Sequence, residues 1–356
     1  MKKILFAVMA ITVFSSHTMF LKMDSYFLKP NTPATIQLYN GTFDKSENVI
    51  DRDRMLDASL IGNGQRIEVN NSQWSEKDSI TLLDFETGEE GTWVAAISTA
   101  PRSIEMTAEA FNTYLEHEGI LDMLEWRKKN NALDAAAVEK YSKHVKTIFQ
   151  VGEKRTNDWQ TPLGYPIEFI PLDNPYDLNT GDSFKFKLLL NGNPLANQLV
   201  YADFKGSSNT HTHDATAATD HHSHDKKPST SSEHTHGGST HSHEKEPEKE
   251  HHHEESIETH THTSGQQLRT DAKGIATAKL TADGIWHLQT IHLIPTEEEG
   301  MTHESNWSTL TFEVTHGHGA DSHTHDASEG GIPSYLYGLG SILLVGLLFL
   351  YFNKKK

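Results

Sequence analysis

Eighteen of the 24 histidines of this chain lie in two short tracts that cannot form a packed core. The tracts are rich in Asp, Glu, Ser and Thr and nearly free of aliphatic residues. Segments of that composition bury too little apolar surface to offset the entropy cost of ordering. The longer tract defines a His-rich insert at 206–265, and the shorter lies at 316–331. A folded body must therefore be built from the sequence on either side of the insert.

The histidines of both tracts come in close pairs such as His-x-His and His-His, which can chelate one ion. Neutral imidazole is a common ligand of divalent transition metals, and most free rings are neutral near pH 7. We therefore predict nickel or cobalt as cargo, with zinc or copper as alternatives. The alternative interpretation of the tracts is a solvated spacer. The predicted ligands are His211, His213, His221, His222, His224, His234, His236, His241, His243, His251, His252, His253, His260 and His262 in the insert, and His316, His318, His323 and His325 in the second tract.

The first residues, 1–16, have the form of a secretory signal peptide. Two lysines precede the apolar run ILFAVMAITVF, and Ser15 and Ser16 are small residues suited to cleavage. Cleavage after either serine places His17 at or next to a free α-amine. Amine, backbone amide and imidazole together can chelate Ni²⁺ or Cu²⁺ in a square-planar arrangement. His17 is therefore a further predicted metal ligand.

At the other end, residues 332–352 carry no charge and are long enough for one transmembrane helix. The basic tail 353–356 should stay in the cytoplasm. The expected topology is an exported protein, anchored in the inner membrane by a single C-terminal helix, with its body in the periplasm.

Composition excludes several functions. The chain has no cysteine, so disulfides, thiolate metal sites and cysteine nucleophiles are excluded. Its formal net charge of −18 argues against nucleic acid as a partner. The G-x-S-x-G and H-E-x-x-H motifs are absent, and we do not expect an enzyme.

Short β-rich runs separated by turn residues predict a mainly β fold. We expect two β-sandwich domains of immunoglobulin or transthyretin type with a helical segment between them. The expected boundaries are 17–106 for the first β domain, 107–143 for the helical segment and 144–315 for the second β domain. The insert interrupts the second β domain between Phe204 and Leu268, so it should join two neighbouring strands.

The helical segment should begin near Thr107 and break at Gly119. Its apolar residues follow three- and four-residue spacing, so we expect them to be core contacts instead of a cofactor site. They are Phe111, Tyr114, Leu115, Leu121, Leu124 and Trp126.

Four other histidines, His117, His144, His292 and His303, are expected to be ordinary residues of the folded body. His287 and His292 are an odd number of residues apart in one predicted strand, so they should point to opposite faces and not share an ion. His117, His144 and His303 have no pattern that favours a metal site.

Several segments resemble one family of exported proteins of unknown function, described as the periplasmic component of cobalt/nickel transport. The segments include SHTMFLKMDSYFLKPN, GTWVAAISTAPRSIEMTAEAFNTYLEHEGI, TPLGYPIEFIPLDNPYDLNTGDSF and GIWHLQTIHLIP. The resemblance implies nickel or cobalt uptake, a partner transporter of the energy-coupling-factor type and no catalytic residues.

The expected function is a membrane-anchored periplasmic accessory protein that captures a divalent transition metal for uptake. One alternative is a passive periplasmic metal buffer or resistance protein. Another is a β-sandwich adhesion or glycan-binding module whose His-rich linker is incidental.

Overall fold

The computed structural model describes residues 18–206 and 265–315, all within one compact unit. Three β-sheets, two α-helices and four short 3₁₀ helices make up the described part of the chain, and the 3₁₀ helices are Arg52–Arg54, Asn71–Gln73, Asp158–Gln160 and Pro175–Asp177. The strands of the first half are β1 Thr18–Lys22, β2 Phe27–Leu28, β3 Pro33–Gly41, β4 Met55–Gly62, β5 Gln65–Glu68, β6 Trp74–Lys77, β7 Ile80–Glu86, β8 Gly91–Thr99 and β9 Arg102–Met106. The helices are α1 Ala108–His117 and α2 Leu121–Lys129. The remaining strands are β10 Ala137–Val151, β11 Ile167–Pro171, β12 Ser183–Leu190, β13 Asn193–Pro194, β14 Leu199–Lys205, β15 Gln266–Arg269, β16 Ile275–Lys279, β17 Gly284–Pro295 and β18 His303–Val314.

The largest sheet, which we call the central sheet, has ten strands. Its main order is β15-β14-β17-β18-β10-β8-β4-β5, and β2 and β9 also pair with β10. The N-terminal sheet has the order β1-β3-β7-β6. The C-terminal sheet contains β11, β12 and β13, with β16 paired to β12.

The two smaller sheets pack on opposite faces of the central sheet. On β18, Thr309 donates a hydrogen bond to the carbonyl of Met19 in β1 at 2.8 Å. Phe312, three residues further on, contacts Phe184 of β12 at a ring-centroid distance of 4.5 Å. Because successive side chains of a strand point to opposite faces, odd-numbered residues of β18 meet the N-terminal sheet and even-numbered residues meet the C-terminal sheet. The body is a three-layer β structure.

The two short helices cover the end of the face that carries the N-terminal sheet. The Tyr114 ring stacks near Trp307 of β18, and the Phe111 ring lies 4.7 Å from that of His303. Leu115 and Leu124 are also buried, which confirms core packing for four of the predicted positions. Leu121 and Trp126 are exposed instead, since the helices pack along one side only.

The expectation of two separate sandwich domains is wrong. Strand β10 pairs with β8 and β9 from the first half of the chain and with β18 from the second, so one sheet runs through both halves. The helices also end at Lys129, and residues 137–143, which we expected to be helical, begin the long strand β10. The fold remains mainly β, but its two halves share a layer.

The expected transmembrane helix is part of the same correction. Residues 332–352 lie outside the described ranges. Within 18–206 and 265–315, no helix is long and apolar enough to cross a membrane, and α1 has only 10 residues. The structure gives the C-terminal helix no support.

Candidate functional site

The insert leaves and re-enters the body at neighbouring strands. Strands β14 and β15 pair antiparallel, with Leu199 opposite Arg269 and Ala202 opposite Gln266. Strand β15 is the last strand of the central sheet on this side. The prediction that the insert joins two adjacent strands is confirmed. The insert therefore connects two antiparallel strands at the edge of the central sheet.

Both ends of this hairpin are held to the body by polar contacts. Lys205, at the end of β14, forms an ion pair with Asp44. The side-chain amide of Gln266 donates to the Lys279 carbonyl at 2.7 Å and accepts from the Lys279 N–H at 2.8 Å. Gly265 has a φ of +92°, and a Cβ there would lie 2.5 Å from the Ala202 carbonyl oxygen. These contacts fix where the insert begins and ends.

The predicted metal ligands all lie outside the described residues. This holds for His17, for the fourteen histidines of the insert and for the four of the second tract. Within the described ranges, no three or more His, Asp or Glu side chains are grouped so that they could hold an ion. The tract histidines therefore remain predictions from sequence.

A second region of interest lies where the described chain begins. Thr18 is 1% exposed, and its backbone pairs with Gly41 at the start of the N-terminal sheet. Its hydroxyl donates to Oε2 of Glu118 at 3.4 Å and accepts from the Gln289 amide at 3.2 Å. Nδ1 of His117 lies 3.6 Å from the other Glu118 oxygen. We call these four residues the N-terminal cluster.

Helix α1 places His117 and Glu118 in this cluster. Thr107 caps the first turn by accepting a hydrogen bond from the Ala110 N–H at 3.2 Å. The helix ends where Gly119 adopts a φ of +70° and the Ile120 N–H bonds to the Leu115 carbonyl at 2.8 Å. This is a helix termination that favours glycine, as predicted for this position. Glu118 is thereby fixed at the C-terminal end of the helix, with its side chain only 1% exposed.

Two more buried charged residues lie close to the cluster on β10. Burial raises the pKa of Glu139 to about 7, and the nearby Glu118 acts in the same direction. Burial lowers the pKa of Lys143 to about 7, against the influence of the same two glutamates. Glu139 accepts from Tyr114 at 3.2 Å through Oε1, whereas no donor among the described residues reaches its Oε2. The region therefore contains two buried glutamates, Glu118 and Glu139.

A small cleft opens beside the N-terminal cluster, between the α1–α2 turn and strands β14 and β17. Its lining includes Glu118, Met123, Tyr201, Gln289 and Ile291. The Tyr201 hydroxyl donates to the carbonyl of Gly119 at 2.8 Å, which holds the turn to β14. Glu118 and Gln289 thus line the cleft and also contact Thr18.

The ordered histidines expected to be ordinary residues mostly have structural partners. His144 contacts the hydroxyls of Ser98 at 2.9 Å and Ser142 at 3.1 Å, and burial lowers its pKa to about 4. Nδ1 of His303 lies 2.7 Å from the Thr302 hydroxyl, and burial lowers its pKa to about 4 as well.

The two histidines of β17 do not converge. His287 stacks on Phe43 at 4.1 Å, beside the N-terminal sheet. His292 bonds instead to the side chain of Gln198 at 3.0 Å. Their different partners agree with the prediction that they do not share an ion.

The N-terminal cluster was not predicted as a unit. Thr18 and Glu118 are 100 residues apart in sequence, and Gln289 is 271 residues from Thr18. The only available signal was the position of His17 directly before the first strand. Nothing in the local sequence marks Glu118 as a buried acid, because the neighbouring Glu109 and Glu116 have the same appearance.

The fold and the insert define a three-layer β protein with a His-rich hairpin insertion. Residues 14–226, more than half of the chain, match a domain of unknown function (DUF4198). The chain belongs to this family. The resemblance to a family of unknown function is thereby confirmed, whereas the association with cobalt/nickel transport stays a prediction. No curated protein matches the chain.

Among solved structures, similarities are weak. A DUF4785 family protein from Legionella pneumophila subsp. pneumophila str. Philadelphia 1 is 12% identical over 52% of this chain and 39% of its own, with a TM-score of 0.20. The D0–D1 domain of intimin is 10% identical over 82% of this chain and 96% of its own, with a TM-score of 0.18. A mutant Salmonella alpha-2-macroglobulin is 11% identical over 83% of this chain and 15% of its own, with a TM-score of 0.19. Such TM-scores do not establish a shared fold.

Proposed function

We propose that this protein is an exported metal-binding accessory protein that captures nickel or cobalt for uptake, with zinc or copper as alternative ions. The His-rich insert is the capturing element. The observation that carries the proposal is the place of the insert, in a hairpin loop at the edge of the central sheet. Its ends are fixed by Lys205 and Gln266, so the strands of the body do not depend on what the loop binds.

A loop in this position can be long without a large cost to the fold. The entropy cost of closing a loop grows only with the logarithm of its length, at about 0.6 kcal/mol for each doubling. The two strand ends are already neighbours because β14 pairs with β15. The hairpin can therefore carry fourteen histidines that the core could not accommodate.

The composition of the insert suits reversible capture. Imidazoles with an ordinary pKa near 6.5 are mostly neutral ligands at pH 7, and the chain offers no thiolate that would hold an ion more tightly. The formal net charge of −18 raises the local concentration of cations. Many exchanging sites support capture and transfer, whereas one closed four-ligand site would support a structural role.

The test replaces residues 207–264 with a short Gly/Ser linker and compares metal stoichiometry by calorimetric titration with Ni²⁺, Co²⁺, Zn²⁺ and Cu²⁺. A matched control keeps the full length of the insert but changes its fourteen histidines to glutamine. We expect several equivalents in the unmodified chain and the loss of most of them in both variants, which keep the four histidines of the second tract. An unchanged stoichiometry would show that the insert is not the metal-binding element.

A growth experiment separates uptake from buffering. If the protein serves uptake, cells that lack it should be starved of nickel or cobalt when the ion is scarce, and the linker variant should not restore growth. A partner transporter of the energy-coupling-factor type is part of this proposal. Sensitivity only to excess metal would instead identify a buffer.

A further inference from the structure

Strand β5 ends the central sheet, and its outer edge is open. Within the part of the chain that the structure describes, β5 pairs with β4 and with no other strand. All four of its residues are exposed. The terminal strand at the other end, β15, differs, because the Gln266 side chain bonds to both backbone groups of Lys279 in β16. An open terminal strand presents backbone donors and acceptors to which another strand can add.

The backbone groups at this open edge belong to Arg66 and Glu68. Directly after β5, the Val69 N–H donates to the Ala58 carbonyl at 2.9 Å. In an antiparallel pair, the backbone groups of successive residues point alternately toward and away from the partner strand. Val69 and Ile67 therefore bond toward β4. The N–H and C=O groups of Arg66 and Glu68 face outward.

We propose that β5 is the contact between two copies of this chain, whose β5 strands pair antiparallel about a two-fold axis at Ile67. In this register Arg66 of each copy lies opposite Glu68 of the other, and these are the residues whose backbone groups face outward. The two central sheets thereby join into one sheet. The inference goes beyond metal capture, since β5 lies at the end of the sheet away from the strands that flank the insert.

The charges on β5 select this register. Opposite charges across an antiparallel pair are favourable, and like charges directly opposite each other are unfavourable. A shift of the axis by one residue in either direction places Arg66 opposite its own copy or Glu68 opposite its own copy. Only the axis at Ile67 gives two attractive pairs. It also brings the two Ile67 side chains together, each 43% exposed in the single chain, so their pairing removes apolar surface from water.

Arg66 is already held in position for this contact. Its guanidinium donates to Asp57 at 2.6 Å, to Ser59 at 3.1 Å and to the Leu163 carbonyl at 3.3 Å. An Arg side chain has five N–H donors, so these contacts leave two for Glu68 of the second copy. The Arg66 side chain is 43% exposed, which keeps it accessible.

The strand contact is short, and this sets the expected strength of the dimer. Interfaces that bury less than about 1,200 Å² are typical of weak, transient contacts. We therefore expect a dimer that forms as the concentration of the chain rises and dissociates on dilution.

Sedimentation velocity of the full chain at increasing concentrations tests the proposal. A chelator prevents the His-rich tracts from linking two copies through a metal ion, and a mild detergent keeps the apolar residues 332–352 from associating. The unmodified chain should shift from monomer to dimer. Arg66→Glu alone, or Glu68→Arg alone, places like charges opposite each other in all three registers. Each should weaken dimerisation at least about tenfold.

An equal mixture of these two variants supplies the decisive comparison. Between one variant and the other, both pairs again carry opposite charges, so a mixed dimer should form with about the affinity of the unmodified chain. The matched control is Glu105→Arg, the same charge reversal at an exposed residue of β9 in the same sheet. It should leave dimerisation unchanged.

A second variant covers the loss of the Asp57 contact in Arg66→Glu, which circular dichroism would show if it prevented folding. Ile67→Lys places two like charges at the axis and should also be monomeric, without rescue by mixing. A chain that stays monomeric at every concentration would overturn the inference and leave β5 open to a strand of a different protein. Unweakened dimers of Glu68→Arg and Ile67→Lys would place the contact elsewhere, and a monomeric mixture of folded variants would exclude this register.

Discussion

A glutamate is buried on each face of the central sheet, and the two carboxylates differ in the length of their polar contacts. Between the central and C-terminal sheets, Glu168 is 1% exposed and accepts from Lys146 at 2.5 Å and from the backbone of Leu163 and Gly164 at 3.0 and 3.1 Å. On the opposite face, the side chain of Glu118 is equally buried, but its contacts are longer, at 3.4 Å to the Thr18 hydroxyl and 3.6 Å to Nδ1 of His117.

This difference separates a buried charge with short, fixed contacts from one with long contacts. The partners of Glu168 are backbone N–H groups and the buried Lys146. Burial lowers the pKa of Lys146, and the Glu168 carboxylate opposes that shift. The partners of Glu118 include a half-exposed histidine and the first described residue of the chain. A carboxylate with several short, charge-assisted contacts is better compensated for its burial than one with long contacts.

The largest expected effect comes from breaking the compensated pair. Glu168→Gln leaves Lys146 without a counter-charge in the interior and should cost about 3–5 kcal/mol of stability, measured by urea unfolding. The matched double variant Lys146→Met with Glu168→Gln removes the stranded charge and should recover most of the loss. A cost below about 1 kcal/mol for the single variant would show that the pair is not compensated as described.

The pH dependence of stability should distinguish the two faces further. His144, on the face of Glu168, has its pKa lowered by burial from 6.5 to about 4. Below pH 6.5 the unfolded chain binds a proton that the folded chain does not, so stability falls as the pH drops from 6.5 to 4. The slope from this group is at most about 1.4 kcal/mol per pH unit.

Glu139, on the face of Glu118, should change the stability with pH in the opposite direction. Its pKa is raised by burial from 4.5 to about 7, so the folded chain holds the proton more tightly. Its contribution to stability is fully present below pH 4.5 and is lost as the pH rises to 7. In unfolding curves from pH 4 to 7, His144→Gln should flatten the rise of stability with pH and Glu139→Gln should steepen it. Two unchanged slopes would contradict both assignments.

Most strands of the body could be predicted from sequence because short β-rich runs are a local signal. GTWVAAIST at 91–99, IEFIPL at 167–172 and IATAKL at 275–280 are such runs, and they correspond closely to β8, β11 and β16. The pairing of the strands on either side of the insert could be predicted because the insert interrupts β-rich sequence between Phe204 and Leu268.

The shared central sheet could not be predicted, because it depends on pairings between distant strands. Residues 137–143 were assigned to the helical segment, although Glu139 and Lys143 are buried charges of a strand. Charged residues at buried positions hide the alternation of apolar side chains. The same burial of charge hides the N-terminal cluster, since Glu118 and the exposed Glu116 look alike in sequence.

The smallest expected effect is that of Glu118→Gln, and it sharpens the comparison most. Gln has nearly the shape of Glu and removes a buried charge whose present contacts are long, so we expect a change within about 1 kcal/mol of zero, with stabilisation as the favoured sign. Glu116→Gln, on the exposed side of α1, should stay within about 0.5 kcal/mol. Urea unfolding in the presence of a chelator measures both variants. A loss near that of Glu168→Gln would mean that Glu118 is as fully compensated as its counterpart.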